Sequence, residues 1–331
     1  MQTFSYTRAE TVEDAVRSVA GAGPRTCFIA GGTTLYDLMK LNLETPNKIV
    51  DITGLRDLNH IDAGGHSELV FGALARMSDV AAHPQIADEY PAISESLWRA
   101  ASQQLRNVAT LGGNLLQRTR CVYFRGGEPF ACNKRDPGSG CAAQQGNDRG
   151  HALLGGSSSC VAVYPGDLAV ALVAFDAKID VLGVTGERTI AVEALHREPG
   201  TSPNVETTLK SGELILRVRV PKTTMGRAST YHKIRDRESY AFALASAAVA
   251  LDMDGDTVRD ARIAIGGLAT RPWRARAAEQ VLAGKTLSQR TARQAGDAAL
   301  HEAKPGRNNS FRIELGARTV ADALMIARQR A

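Results

Sequence analysis

No stretch of this 331-residue chain approaches the roughly 20 apolar residues that a bilayer-spanning helix needs. The nearest candidate, Ala241 to Leu251, is short and alanine-rich, which suits a buried element better. The N-terminal Met1-Gln2-Thr3-Phe4-Ser5-Tyr6 lacks the charged and apolar regions of a secretory signal. Alone, the chain is expected in the cytoplasm; a signal-bearing partner would be needed to carry it out. Excess charge is also scarce: 40 Lys+Arg against 35 Asp+Glu leave +5, spread along the sequence. No basic run is interleaved with aromatics, so nucleic acid is not an expected partner. Internal repeats, G-x-G-x-x-G and Cys-x-x-Cys are all missing, and the seven histidines show no ligand spacing; His83 and His301 read as surface residues. Asp252-Met253-Asp254-Gly255-Asp256 is no calcium loop, because an EF-hand glycine would stand where Thr257 is.

What is present suits a globular protein of two or three domains, with 44% hydrophobic and 23% charged residues. Residues 8–22 read as a helix capped by Thr11, and Thr26 to Ala30 as a buried strand. Gly31-Gly32 stop that strand, and Thr33-Thr34 begin an amphipathic helix reaching about Leu43. With the strand Ile49 to Ile52, residues 1–55 make a small α/β unit. A strand is expected over Leu69 to Leu74, and helices over 78–105 with a break near Pro84. Residues 117–160 lose periodicity. Beyond them Leu168 to Ala174, Lys178 to Gly183 and Glu213 to Val220 read as strands. A boundary is expected near Pro221 to Ala228. From Ser229 the pattern is strand, helix-like run, hairpin (Ala247–Met253 against Arg262–Leu268) and helices.

Two glycine motifs carry chemistry. Ala30-Gly31-Gly32-Thr33-Thr34-Leu35 runs from a strand into a helix start, placing free backbone N–H groups where a phosphate or pyrophosphate would suit. An ordinary tight turn is an equal reading of that motif alone. Val108-Ala109-Thr110-Leu111-Gly112-Gly113-Asn114-Leu115-Leu116 offers close backbone approach, polar side chains and an apolar wall. Four of the five cysteines, Cys121, Cys132, Cys141 and Cys160, fall in or beside the irregular segment with spacing C-x10-C-x8-C-x18-C. A disulfide framework, a zinc site and an iron–sulfur cluster compete for them. Arg118, Arg120, Arg125, Lys134, Arg135 and Arg149 would either offset a cluster's charge or form a solvated basic loop. Cys27, in a strand, reads as a small buried apolar residue.

Together and in this order, the two motifs resemble the FAD subunits of the xanthine dehydrogenase and carbon monoxide dehydrogenase family, the molybdenum hydroxylases. Further likeness lies in Pro165-Gly166-Asp167-Leu168, Gly212-Glu213-Leu214-Ile215-Leu216 with Pro221, Tyr231-His232-Lys233-Ile234-Arg235-Asp236-Arg237-Glu238, and Ile265-Gly266-Gly267-Leu268 with Arg271-Pro272. The resemblance covers essentially the whole chain. It implies an α+β fold: a two-part FAD-binding domain of vanillyl-alcohol-oxidase type and a smaller C-terminal α/β domain. The parts would be residues 1–55, 56–224 with an insertion at about 117–163, and 225–331.

By the same resemblance, Ala30, Gly31, Gly32, Thr33, Thr34 and Leu35 would hold the pyrophosphate. Thr110, Gly112, Gly113, Asn114 and Gln117 would follow the ribityl and phosphate region, and Leu116 would pack on the isoalloxazine. Asp167 would bind polar FAD atoms, Ile215 would line the pocket, and Lys233 would sit near the pyrimidine edge. The insertion between Asn114 and Asp167 resembles those of 4-hydroxybenzoyl-CoA reductases and periplasmic aldehyde oxidoreductases, which carry a [4Fe–4S] cluster. The likeness to the latter runs through Asn114–Arg125 and Cys132–Ala143, and makes Cys121, Cys132, Cys141 and Cys160 the implied ligands.

The implied role is electron transfer in a heterotrimer, with no catalytic residue on this chain. A large subunit would hold the molybdenum cofactor and a small one the [2Fe–2S] clusters. Aldehyde would become carboxylic acid at molybdenum, with electrons leaving to an external acceptor. A subunit of 4-hydroxybenzoyl-CoA reductase type is the alternative, and a zinc-stapled non-redox scaffold a second. Periplasmic location by co-export is implied, with cytoplasmic location the alternative.

Overall fold

The computed structural model describes residues 1–23 and 25–331. Near the N-terminus, strands β1 (Ser5–Arg8), β2 (Thr26–Ile29) and β3 (Lys48–Asp51) form a parallel sheet in the order β1-β3-β2. Helix α1 (Val12–Ala20) buries Ala15, Val16 and Val19 against it. The Thr11 side chain caps it by accepting from the Asp14 N–H. The helix is shorter than the expected 8–22. Helix α2 (Leu35–Lys40) also stops early, at Leu41, followed by Asn42 with φ of 54°.

A five-stranded antiparallel sheet follows. It takes β4 (Ile61–Asp62), β5 (Glu68–Gly72), β6 (Lys178–Gly183), β7 (Gly186–Ala191) and β8 (Leu214–Pro221) in the order β4-β5-β8-β6-β7. Between β5 and β6 lie α3 (Met77–Ala82), α4 (Pro84–Glu89), α5 (Pro91–Trp98), α6 (Gln103–Arg106), α7 (Leu111–Leu115), α8 (Val122–Arg125) and α9 (Leu168–Ala174). The short α10 (Val192–Leu195) follows β7.

The segment Leu168–Ala174, expected as a strand, is a helix, and all seven of its side chains are buried. A short apolar run without alternation cannot be assigned by periodicity, and its three alanines favour helix. Helix α9 packs between the five-stranded sheet with α5 and the last sheet.

That last sheet is antiparallel, in the order β12-β11-β10-β9. Its strands are β9 (Ser229–Ile234), β10 (Ala245–Asp254), β11 (Thr257–Gly266) and β12 (Trp273–Arg274). The expected helix-like run after β9 is an irregular segment followed by the start of β10. Only from Ala245 on is this stretch buried, and there it is strand. On one face Ala248, Ala250 and Ala264 are small enough to admit α9. On the other, Ala247, Val249, Leu251, Ile263 and Ile265 meet α11 (Arg276–Leu282), α12 (Gln289–Ala299) and α13 (Phe311–Arg328). The hairpin turns tightly, with Asp254 opposite Thr257, so β11 begins earlier than expected.

Helices α12 and α13 cross so closely at Gly296 that a Cβ there would collide with the Ala317 carbonyl oxygen. Gly296→Ala must therefore separate them, and should lower unfolding free energy by about 1–3 kcal/mol. Denaturant unfolding of the full chain checks this.

Candidate functional site

The two glycine motifs meet. Gly31 packs so tightly on the Val108 carbonyl and Ala109 that a Cβ would overlap them. Gly32 takes φ of +68°, which turns the chain from β2 into α2. Among the described residues, the N–H groups of Gly31 to Leu35 have no carbonyl partner outside the helix. Facing them, Gly112 donates to the Ala73 carbonyl at 2.9 Å, and Thr110 caps α7 by accepting from the Gly113 N–H.

Ala30, Gly31, Gly32, Thr33, Thr34, Leu35, Thr110, Gly112, Gly113, Leu116 and Ile215 line one cavity of about 300 Å³. A second, of about 470 Å³, is lined by Asn114, Gln117 and Asp167 and shares Thr33, Thr34, Ala109 and Gly113 with the first. The two adjoin as one cleft, with unpaired backbone donors in one half. The Asn114 Oδ1 is buried without a partner, while its Nδ2 donates to the Met77 sulfur at 3.4 Å. Leu116 is 40% exposed beside it. Unpaired N–H groups, an orphaned amide oxygen and uncovered apolar walls fit a long ligand with phosphate, polyol and ring parts, as FAD has.

Lys233 lies apart from both cavities. Its ammonium is buried and donates to Asp167 at 2.8 Å and to the Arg99 carbonyl at 3.0 Å. Tyr231 donates to the other Asp167 oxygen at 2.5 Å. Burial pushes the Asp167 carboxyl upward, against the pull of Lys233 and Tyr231. Lys233 therefore reaches the cleft only through Asp167, and Tyr231 joins this network although sequence gave it no role. The second cavity is also walled by Arg120, stacked on Phe242 at 4.8 Å, and by Tyr240. No motif marks Tyr240 or Phe242, which the chain between β9 and β10 brings there.

Beneath Leu115 lies a buried support. The His196 Nε2 donates to the Leu115 carbonyl at 2.8 Å, and the Tyr164 hydroxyl does so at 3.1 Å. Burial holds the His196 imidazolium down at about 4.

The four loop cysteines gather in one place. Cys132 and Cys141 pair as an antiparallel bridge, and Ser157 and Cys160 close another turn. Cys132 and Cys160 both act electrostatically on Cys121, as Cys132 and Cys141 do on Cys160. Burial drives the Cys121 thiol up to about 11 and Cys160 in the same direction, so a thiolate at either of these two needs a cationic centre. A tetrahedral zinc with bonds near 2.3 Å would need its sulfurs about 3.8 Å apart. Among the described residues no three His, Cys, Asp or Glu side chains converge to share one ion. All five cysteines are free.

The basic residues of the loop each find a partner in the fold, although Arg149 stays half exposed. Arg120 and Arg125 pair with Asp37 of α2 at 3.1 and 2.8 Å, and Arg118 bridges Glu44 and Glu206. Lys134 donates to the Pro203 carbonyl at 2.9 Å and Arg135 to those of Tyr123 and Phe124 at 3.0 Å. Arg149 meets Asp236 at 3.3 Å. Phe124 and Cys132 pack with Leu38 of α2, so the thiol site and the glycine cleft share a helix.

A family model described as the FAD binding domain in molybdopterin dehydrogenase matches residues 2–223, and one for the CO dehydrogenase flavoprotein C-terminal domain matches 229–326. The chain is 43% identical to the aldehyde oxidoreductase FAD-binding subunit PaoB of Escherichia coli, over 100% of both chains. It is 27% identical to the glyceraldehyde dehydrogenase medium chain of Sulfolobus acidocaldarius, over 86% of this chain and 83% of that one. The structure of carbon monoxide dehydrogenase from Hydrogenophaga pseudoflava superposes with a TM-score of 0.78 at 25% identity, covering 100% of this chain and 99% of the other.

A histidine whose folded pKa is depressed stabilises the fold above about pH 6.5, and that stability is lost as pH falls toward 4. Acidification from about pH 7 to about 4.5 should cost on the order of 2–3 kcal/mol through His196. Denaturant titrations at both pH values should show His196→Gln, which keeps a donor for Leu115, losing less stability than the parent.

Proposed function

The chain belongs to the FAD-binding medium subunits of the molybdenum hydroxylase family, and on that footing we propose that it is the FAD- and [4Fe–4S]-carrying electron-transfer subunit of an aldehyde oxidoreductase. The observation that carries this reading is the joining of the two glycine turns into one cleft with the gathered cysteines beside it. The aldehyde assignment draws support from the end-to-end likeness to an aldehyde oxidoreductase subunit and from the more distant glyceraldehyde dehydrogenase chain.

Residues 1–55 and 56–224 make the FAD domain, 117–163 its inserted loop, and 225–331 the C-terminal domain. The free N–H groups of Gly31 to Leu35 hold the pyrophosphate, and Thr33 and Thr34 offer hydroxyls where the two cavities join. Thr110, Gly112, Gly113, Asn114 and Gln117 follow the polyol, with the orphaned Asn114 oxygen accepting from it. Leu116 and Ile215 give the ring its apolar walls. Asp167 presents a carboxylate fixed by Lys233 and Tyr231, so Lys233 acts on the flavin through Asp167. When bound, FAD supplies the redox chemistry, accepting electrons that originate at the molybdenum centre and [2Fe–2S] clusters of partner subunits and delivering them to an external acceptor.

Cys121, Cys132, Cys141 and Cys160 are the ligands of a [4Fe–4S] cluster, which supplies a one-electron site when bound. No helix among the described residues is long and apolar enough to cross a membrane. The large molybdenum subunit and the small [2Fe–2S] subunit complete a heterotrimer, and a signal on a partner takes the assembly to the periplasm.

Gly31→Ala should weaken FAD retention by about tenfold or more, because the new methyl pushes the 30–35 turn off Val108. Flavin absorbance after gel filtration of the heterotrimer checks this. The same heterotrimer should oxidise aldehydes with an artificial acceptor and should not reduce an aroyl-CoA with a low-potential donor. The opposite substrate pattern would overturn the aldehyde reading.

A further inference from the structure

One histidine in the cysteine loop has no place in the account so far. His151 is buried, and its Nε2 stands 3.2 Å from the Cys121 sulfur. The Nδ1 is buried with no partner. The backbone that carries the ring is anchored. The His151 carbonyl is gripped by Arg312 at 2.7 Å and by Asn309 at 3.3 Å, and its N–H donates to Asp148 at 2.8 Å. Asp148 is itself fixed by the N–H groups of Arg307 and Asn308 at 2.7 and 2.8 Å. The ring is flanked by Tyr123, with centroids 5.9 Å apart.

The chemistry settles the direction of the contact once the sulfur is a metal ligand. An iron-bound thiolate carries no proton and can only accept. At 3.2 Å the contact is then a hydrogen bond only if Nε2 bears the hydrogen. That tautomer also leaves Nδ1 as a bare lone pair, which is the state its partnerless surroundings favour over a buried N–H. The donor on the Cys160 sulfur is the Ala162 N–H at 3.4 Å, so the histidine gives Cys121 a side-chain donor where Cys160 has a backbone one.

We propose that His151 is a positioning residue for the cluster: its Nε2–H donates to the Cys121 thiolate and raises the cluster's reduction potential, with the backbone that carries the ring held by Arg312, Asn309 and Asp148. This rests on the [4Fe–4S] reading above. A donated hydrogen bond stabilises the more negative, reduced cluster, so its loss lowers the potential. The C-terminal domain, which supplies Arg312 and Asn309, thereby helps set the potential of a centre whose ligands all lie in another part of the chain.

The test is an EPR-monitored redox titration of the heterotrimer with parent, His151→Leu and His151→Gln chains, with iron per chain measured on each. The Leu variant should keep its iron and shift the one-electron reduction equilibrium about tenfold toward the oxidised cluster, ~59 mV lower. Gln, which retains a side-chain N–H, should recover most of that shift, and the flavin potential should stay at the parental value. A parent without iron would sink the cluster reading itself. Full iron with parental potentials in the Leu variant would overturn the role of His151 alone. Iron loss from both variants would also overturn it, because the ring would then be holding the cluster together.

Discussion

A long segment with almost no regular structure cannot hold its own shape, and the rest of this site depends on how residues 117–163 are fastened. Only the four-residue α8 and a single 3-10 turn interrupt the irregular backbone there. The missing ladder is replaced by side chains reaching in from both ends of the fold. From the C-terminal domain, Arg312 is buried to 1% exposure and donates to the carbonyls of Arg149, His151, Leu244 and Gly267. Burial brings its guanidinium down to about 10, and it carries no carboxylate partner. Each such charged hydrogen bond is worth about 1.5–3 kcal/mol, and an empty pocket would leave several carbonyls unpaired. From the flavin side, Asp37 and Glu44 hold Arg118, Arg120 and Arg125.

Helix α2 links these constraints to function. Its first turn continues the Gly31–Thr34 nest, and its Asp37 and Leu38 meet the cysteine loop. One short helix thus borders the glycine cleft on one side and the cysteine loop on the other.

Much of this was legible in sequence where the signal was local. Paired glycines after a strand, Thr11 before a helical period and turn residues between alternating strands each point to one backbone shape. Legibility failed where the environment decides. Leu168–Ala174 has no period to read, because a helix buried all round and a buried strand look alike. The strand expected from Ala247 is present and begins two residues earlier, at Ala245, while the helix-like run expected before it is irregular. The resemblance puts Lys233 near the flavin; what the sequence does not reveal is its buried ion pair with Asp167 and its bond to the Arg99 carbonyl. Neither open reading of the loop arginines, charge offset or solvated loop, named the carboxylates of Arg118, Arg120 and Arg125, which lie far away in sequence. Long-range pairing of that kind leaves no trace in spacing. The same holds for Arg312, whose partners are all backbone carbonyls.

The central claim is that the inserted loop and the glycine cleft are two cofactor sites built side by side on one chain. Anaerobic purification followed by iron, zinc and FAD analysis, with an EPR spectrum after dithionite reduction, tests it most directly. The account predicts about four irons and one FAD per chain, with a reduced-cluster signal and no zinc. FAD with zinc in place of iron, or neither cofactor at all, would contradict it.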